Sequence, residues 1–453
     1  MFGIGREVAA VAADFNPERL RGLKRIIPAS TIQSTLRETG QTRRCPALSK
    51  HLVVWFVVAL GLFSTDNYRQ VFRWLRPGRL GNAVLRSTLC EARRRLGVAP
   101  VQRLFERVVR LLATAATPGA FHRGMRLMAV DGFVLDLPDT PENDRAFGRP
   151  QGGRSSGAFP QVRILALCEV GTHVVWKFLL KPLCRGEISM AKILLKFLPA
   201  GTLLLWDRGF LSYRTVADVG DADARLLARI KKNSKFSKRK VLSDGSCLAR
   251  IYRSTHDRQR DRHGIDVRIV EYTIADPLRD GKGEKHRLLT TLLDHREHPA
   301  IDLVVLYHQR WEIELAIDEI KTHLKGRPVL RSQSPAGVVQ EVHGLLLAHY
   351  VVRVLMAEAA DRAGLPPRRI SFTGTLKILR CRLPECPRSR PALTQWYERL
   401  LEEIADEVLP QRRNRINPRV VKRKMSKWPK KRPAHRRTPQ PALDFRRTVR
   451  INS

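Results

Sequence analysis

The chain has 453 residues, 43% of them apolar, so it is long enough for two or three domains and can bury a sizeable core. Lys and Arg number 83 against 43 Asp and Glu, which gives a formal charge of +40. This surplus argues against an ordinary metabolic enzyme. It indicates a polyanionic partner, most commonly nucleic acid, with an anionic membrane surface as the other candidate.

The sequence predicts neither a membrane span nor a signal peptide. Its longest apolar run, residues 52–63, falls short of the about 20 residues that a span needs. Acidic residues interrupt the first 20 positions, which excludes a secretory leader. The seven cysteines form no CxxC pair, so we expect neither a disulfide framework nor a zinc site, and a reducing cytoplasm is the simplest location.

The predicted elements change in character along the chain. Residues 1–115 are predicted to be helical with basic faces, which suits a DNA-binding domain and a solvated helical bundle equally well. Residues 120–229 follow the order strand, strand, strand, helix, strand, helix, which is typical of an α/β domain. Residues 230–300 alternate polar segments with strand-like pieces, as expected of a β-rich insertion.

The C-terminal part is predicted to begin with one long helix, residues 301–324, and a second helix over residues 336–360. Together they belong to a predicted segment of residues 301–405. The tail, residues 411–453, contains 16 Lys and Arg but one acid, Asp444. It is predicted to be disordered because it has few apolar residues to bury.

Two aspartates each follow a strand-like apolar run. Asp131 comes directly after residues 127–130, and Asp207 comes directly after residues 202–206. Open α/β sheets place their active sites at the carboxyl ends of strands, and two such carboxylates suit magnesium. Each aspartate also has a structural interpretation: Asp131 with Gly132 is a good hairpin turn, and Asp207 can cap a turn or helix.

The predicted helix of residues 301–324 carries a spaced set of polar residues. At about 100° per residue, one side of that helix holds Tyr307, Arg310, Glu314 and Lys321. An exposed face with an Arg310–Glu314 ion pair is the structural interpretation. An acid surrounded by cations and a hydroxyl also suits a site for metal and phosphate.

This spacing, Tyr-x2-Arg-x3-Glu-x6-Lys, matches the YREK signature, and the chain resembles the DDE transposases of the insertion-sequence-four type. Further segments are similar to the regions around the family's two aspartates: residues 130–132, 137–140 and 207–210. Residues 27–75 resemble its N-terminal domain and residues 417–424 its basic C-terminal motif, so the resemblance covers nearly the whole chain.

The resemblance implies an RNase H-like α/β catalytic core with a β-rich insertion, preceded by an all-α N-terminal domain. It implies that Asp131, Asp207 and Glu314 bind two Mg²⁺ or Mn²⁺ ions, which serve an in-line displacement at phosphorus. It also implies that Tyr307, Arg310 and Lys321 hold DNA phosphates near the cut, Arg310 bidentately and Lys321 as a point charge.

Other acids in the same regions compete for these roles. Asp318, four residues after Glu314, is the alternative third carboxylate, whereas Glu312 and Glu319 are expected to point elsewhere and to be solvated. Some enzymes of this family stack a flipped base on a Trp in the insertion. Residues 231–310 contain no Trp, so a substitute would come from the other ring-bearing side chains there: Phe236, Tyr252, His263 or Tyr272.

The sequence therefore predicts a DNA transposase that cleaves the ends of a bacterial insertion sequence and joins them to target DNA. Its expected partners are the element's terminal inverted repeats and the target duplex, bound as a dimer in the cytoplasm at the nucleoid, with no membrane. Two alternatives stay open: a metal-dependent nuclease on the same core without strand transfer, and a non-catalytic DNA-binding remnant.

Overall fold

The predicted N-terminal helices form where the apolar pattern places them. Ser49 caps the most apolar of them by accepting a hydrogen bond from the Leu52 amide at 3.2 Å. The helices of this region are a 3₁₀ helix over Glu18–Arg25, α1 (Ala29–Glu38), α2 (Lys50–Leu62), α3 (Tyr68–Leu75), α4 (Arg86–Leu96) and α5 (Ala99–Val108).

The structure is a computed structural model that describes residues 18–42, 48–75, 84–152, 155–157, 159–207, 209, 211–231, 234, 236–275, 283–410 and 444–452. It divides into two units. The first contains residues 1–121, 131–190 and 312–408, and the second contains residues 122–130, 191–311 and 409–453. The whole is a mixed α/β fold with a large sheet, which confirms the predicted fold class.

The first unit combines the N-terminal helices with part of the sheet and with the C-terminal helices. Its strand order is β6-β5-β2, and β5 and β6 are antiparallel. Its further elements are the later part of β2 (Met125–Asp136), α6 (Pro141–Phe147), β3 (Gln151–Gly152), β4 (Ser155–Ser156), β5 (Gln161–Glu169), β6 (Val175–Pro182) and the start of α7 (Glu187–Leu195).

The second unit holds the earlier part of β2 and the strands from β7 onward. The order is β2-β7-β8-β12-β11-β10-β9, parallel from β2 to β8 and antiparallel from β8 onward. The elements are β1 (Phe121–His122), β7 (Thr202–Trp206), α8 (Tyr213–Asp221), β8 (Arg225–Arg229), β9 (Ser237–Val241), β10 (Cys247–Ile251), α9 (Thr255–Gln259), β11 (Ile265–Ile274) and β12 (His286–Thr290). The strands and helices predicted within residues 120–229 are present, together with α6, β3 and β4, which were not predicted, and residues 230–300 contain strands β9 to β12.

The long helix predicted over residues 301–324 is not one continuous α-helix. It consists of α10 (Ala300–Tyr307), a 3₁₀ turn (His308–Arg310), α11 (Trp311–Asp318) and a π-helix (Glu319–Leu324). Apolar periodicity cannot show such breaks, because they depend on what the polar side chains contact. The remaining helices are α12 (Pro335–Arg362), α13 (Phe372–Arg382), α14 (Arg390–Asp406) and 3₁₀ turns at Pro367–Arg369 and Leu383–Glu385.

The tail departs from the prediction at its end. Residues 411–443, with the basic motif of residues 417–424, lie outside the described residues. Residues 444–452 are ordered, forming α15 (Phe445–Thr448) and β13 (Val449–Asn452). Phe445 and Val449 are buried, and β13 pairs antiparallel with β11, so the expectation of disorder was wrong there. Pairing with residues 271–274 of β11, beyond the stretch that pairs with β10, supplies hydrogen bonds that the composition of the tail does not reveal.

Helix α12 passes the length and hydropathy test for a membrane span, but 89% of its most apolar window is buried inside the protein. It packs against α2 at two glycines. A Cβ built on Gly344 would lie 2.4 Å from the Val57 carbonyl oxygen, and one on Gly61 would lie 2.5 Å from the Gly344 carbonyl oxygen. The missing side chains therefore let the two helix backbones approach closely. Helix α12 is a core helix of the first unit.

Candidate active site

Asp131 lies inside strand β2. The predicted strand end at residue 130 was wrong, since β2 continues to Asp136, and this also excludes the hairpin turn at Asp131 and Gly132. The Asp131 side chain is half-buried, and its Oδ1 accepts a hydrogen bond from the Gly132 amide at 2.8 Å. A chain that runs on as strand cannot turn back at these residues, so Asp131 presents its carboxylate from the middle of the strand.

Asp207 directly follows β7, as predicted. The register pairs Ala129 of β2 with Leu205 of β7, so Asp131 and Asp207 each stand two residues beyond this pair along parallel strands. The hydroxyl of Tyr307, at the end of α10, donates to the carbonyl of Trp206 at 3.3 Å. Tyr307 therefore ties α10 to the end of the strand that carries Asp207.

Tyr307 is 8% exposed, and burial raises the pKa of its phenol. The phenol therefore remains a hydrogen-bond donor at neutral pH. Arg310, in the 3₁₀ turn that follows, is half-buried, and its guanidinium carbon lies 6.0 Å from the centre of the Trp311 ring. Trp311 itself is 43% exposed.

Glu314 and Lys321 follow in the first unit, Glu314 in α11 and Lys321 in the π-helix. Both are half-buried. The constant 100° per residue from which the single stripe was predicted does not apply along this segment, because the 3₁₀ turn and the π-helix each change the rotation per residue. The four signature residues are thus carried by three helical geometries rather than by one α-helix face.

Glu312 and Glu319 were expected to be solvated, and this was wrong: they are 6% and 9% exposed. The two nitrogens of His173 contact one oxygen of each, Glu312 at 2.8 Å and Glu319 at 2.9 Å. Glu319 also accepts from Arg353 Nε at 2.9 Å and lies 3.0 Å from His349 Nε2. We call these five residues the buried ionic cluster; it fixes both ends of the helical segment that carries Glu314.

The cluster holds Glu319 in its ionised form. Burial alone would raise the pKa of this carboxyl, but the charges of Arg353 and His173 and the hydrogen bonds of His173 and His349 outweigh it. The pKa of Glu319 therefore lies well below its ordinary value. His173 itself adopts a left-handed backbone, with φ of 59°, in the turn between β5 and β6. A constrained, non-glycine turn thus presents the ring that joins the two glutamates.

Sequence reasoning missed this cluster, although a signal was present. Positions 349 and 353 place a histidine and an arginine four residues apart in a largely apolar stretch, residues 344–356, so both fall on one buried face of the helix. A buried arginine needs a carboxylate partner. The acids of the preceding helical segment, Glu312 and Glu319 among them, were the available candidates.

Other carboxylates lie near the predicted acids. Asp318, the alternative third ligand, is exposed and accepts from the Thr322 hydroxyl at 2.6 Å. Glu187 was not considered from the sequence. A Cβ on Gly132 would lie 2.8 Å from its Oε1, and that oxygen accepts from Arg163 at 2.9 Å. A second carboxylate therefore lies beside the strand segment that carries Asp131.

The donor types fit a hard divalent cation, since Asp131, Asp207 and Glu314 offer carboxylate oxygens and no sulfur or nitrogen. Among the residues that the structure describes, no group of three or more His, Cys, Asp and Glu side chains is placed to hold a metal ion. The ligand set remains a prediction from the resemblance.

The four possible substitutes for a Trp in the insertion differ in their surroundings. Phe236 and Tyr252 line a cavity of about 480 Å³ in the second unit. Tyr272 is 4% exposed within β11, and the His263 carbonyl accepts from the Tyr213 hydroxyl at 2.6 Å. The same cavity has three further lining residues that are basic: Arg250, Arg253 and Arg258. Phe236 and Tyr252, together with Tyr213, are thus aromatic side chains beside a cavity that arginines also line.

Comparison with known proteins defines the class of protein. Residues 122–351 match the family model described as "Transposase DDE domain", and residues 17–106 match "Insertion element 4 transposase N-terminal". The chain is 30% identical over 407 residues to "Transposase InsG for insertion sequence element IS4" of Escherichia coli (strain K12), which covers 88% of this chain and 91% of that one.

A solved structure, "Cryo-EM structure of piggyBac transposase synaptic complex with hairpin DNA (SNHP)", is similar over 88% of this chain and 86% of that chain. The sequence identity is 13% and the TM-score is 0.41.

The chain belongs to the DDE transposases of the IS4 type. It is therefore an enzyme of DNA cleavage and strand transfer with an RNase H-like core, and its family uses divalent metal ions. Transposase is the favoured reading over the nuclease and the binding-only remnant.

Proposed function

We propose that this transposase cuts the ends of its own insertion sequence and joins them to target DNA with Asp131, Asp207 and Glu314 as ligands of two Mg²⁺ or Mn²⁺ ions. The observation that carries this proposal is the parallel pairing of β2 with β7, in which both aspartates stand two residues beyond the same registered pair. When bound, the ions would activate the attacking oxygen and stabilise the leaving 3′ oxygen.

The side chains around these acids are proposed to hold the DNA. Arg310 can bind a phosphate through two parallel N–H groups, and Lys321 can neutralise it as a point charge. Tyr307 is proposed to reach a phosphate as well. Its hydroxyl has one proton, which it now donates to Trp206, so that contact requires an exchange of hydrogen bonds.

The remaining assignments extend the same proposal. Residues 1–115 are proposed as the DNA-binding domain, residues 120–229 and 301–405 as the two parts of the catalytic core, and residues 230–300 as its insertion. In that insertion Phe236 and Tyr252 are proposed to stack on a DNA base. The working assembly is proposed to be a dimer that holds two terminal inverted repeats and a target duplex, in the cytoplasm at the nucleoid.

The test is cleavage of a DNA fragment that ends in the element's terminus, with Mg²⁺ or Mn²⁺, followed by joining to a target plasmid. We expect Asp131→Ala, Asp207→Ala and Glu314→Ala to lose cleavage by a factor of at least about 10³ while keeping DNA affinity, because metal ligands stabilise the transition state. Asp318→Ala is the matched control and should cleave normally.

Each result decides one part of the proposal. Cleavage that survives Glu314→Ala but is lost in Asp318→Ala moves the third ligand to Asp318. Cleavage by the wild type without joining supports the nuclease alternative. Tight binding with no cleavage under either metal supports the non-catalytic remnant.

A further inference from the structure

Arginines line a cavity of about 380 Å³ in the first unit. Its walls come from the starts of α3 and α4 and from the segment after the π-helix. The residues that line it are Asn67, Tyr68, Arg69, Arg86, Arg327 and Arg331. There is no carboxylate among these six, so the cavity presents an excess of positive charge.

One wall of the cavity is rigidly built. The Tyr68 ring lies near two guanidiniums, with its centre 5.4 Å from the Arg93 guanidinium carbon and 5.7 Å from the Arg331 guanidinium carbon. Arg93 is 5% exposed and donates to the Tyr68 hydroxyl, to Gln340 Oε1 at 3.2 Å and to the Gly337 carbonyl at 3.0 Å. These bonds fix the wall before any ligand arrives.

The positive charges of Arg327 and Arg331 are offset by few neighbouring carboxylates. Arg331 donates to the carbonyls of Asp66, at 3.0 Å, and Ser64, and Arg327 donates to the carbonyl of Thr65. A carbonyl satisfies a donor without cancelling its charge. Glu341, 3.5 Å from Arg331 Nε, offsets one positive charge. The remaining positive field favours an anion. Arg86 is the first residue of α4, and the positive N-terminal end of that helix adds to the field.

We propose that this cavity binds a backbone phosphate of duplex DNA. The inference rests on the proposed function, because the same cavity in a protein without a DNA partner would suit any phosphate. Guanidinium groups suit this role, since their planar N–H pairs match two phosphate oxygens. Neither Arg310 nor Lys321 lines this cavity, so a phosphate bound there would be a contact in addition to those proposed for these two residues.

The experiment measures DNA affinity against salt concentration for full-length Arg86→Gln and Arg327→Gln. Log affinity falls as log salt rises, and each lost phosphate contact makes this negative slope shallower by about 0.9. Arg94→Gln is the matched control: Arg94 is exposed on the same helix, pairs with Glu91 and does not line the cavity. We expect a shallower salt dependence in both cavity variants and an unchanged salt dependence in the control. Arg86→Lys should recover the salt dependence of the wild type.

Two DNA fragments of equal length, one ending in the element's terminus and one unrelated, separate an end phosphate from a target phosphate. A shallower salt dependence of the cavity variants on either fragment supports the site. Slopes equal to that of Arg94→Gln on both fragments overturn it, provided that thermal unfolding shows the variants folded. Failure of the wild type itself to bind either fragment would instead contradict the proposed function.

Discussion

At the scale of single residues, Glu319 is the centre of the buried ionic cluster. It lies buried with its carboxylate between Arg353, His173 and His349, and removal of one partner from such a cluster leaves an uncompensated charge. The cluster also holds the two ends of the segment that carries Glu314. Its role is thus positioning and structural, and it needs no contact with DNA.

Glu319→Gln is expected to lower the free energy of unfolding by about 3–5 kcal/mol, since it leaves the buried Arg353 without its ionised partner. Urea denaturation followed by circular dichroism measures this loss. Asp318→Asn is the control at the adjacent, exposed position and should change stability by less than about 0.5 kcal/mol. Equal losses in the two variants would contradict the structural role of the cluster.

The difference in stability between wild type and Glu319→Gln is expected to depend on pH. The pKa of Glu319 is lower in the folded state than in the unfolded chain, so its contribution is fully present above about pH 4.3 and is lost as the pH falls through the folded pKa. The stability gap between wild type and Glu319→Gln should therefore be constant above about pH 5 and narrow in stronger acid. Denaturation series from pH 3 to 7 check this.

At the scale of elements, the crossing of α2 and α12 organises the core of the first unit. Both helices are buried, and they meet where Gly61 and Gly344 leave room for the backbones. Close-packed interiors tolerate extra atoms poorly, because an added methyl forces neighbouring atoms to move. These glycines therefore set the distance between the helices.

Gly344→Ala is expected to destabilise the protein by about 1–3 kcal/mol, because its Cβ would overlap the Val57 carbonyl oxygen. Gly220→Ala in α8 is the control: a Cβ there meets no atom within 4 Å, so the loss of chain entropy on folding becomes smaller and stability should rise by about 0.5–1 kcal/mol. Thermal melting compares the two. Equal shifts of the same sign would show that the crossing is not tight.

At the scale of the whole molecule, the N-terminal helices share the core of the first unit with α12. The sequence predicted residues 1–115 as a domain of their own, and this boundary stays untested. The packing of α2 on α12 nevertheless has a consequence for truncation, since removal of α2 would expose a long apolar helix face.

A chain that lacks residues 1–115 is therefore expected to lose its cooperative unfolding transition and to bind a hydrophobic dye. The control is the full-length chain cut by protease at an inserted site after Ala115, which lies in an exposed segment and leaves α2 packed. Calorimetry compares the two. A truncated chain that melts like the cut one would show that α12 does not depend on α2.

Sequence alone determined a large part of this protein. Strands β5, β6 and β7 follow from short apolar runs, because burial on both faces of a sheet leaves a continuous signal. The short elements α6, β3 and β4 have no such run and were not predicted. The spacing of Tyr307, Arg310, Glu314 and Lys321 indicated the family, and family comparison confirmed it. Local patterns suffice where a residue's neighbours in sequence decide its environment.

The tertiary structure alone decided the rest. The continuation of β2 past Asp131, the π-helix at Glu319, the burial of Glu312 and the pairing of β13 with β11 each depend on a partner far away in the chain. A carboxylate that meets His173 and Arg353 is stable in the interior, whereas the same carboxylate without them belongs in water. Periodicity cannot distinguish these two cases, because the difference lies in the partners and not in the residue.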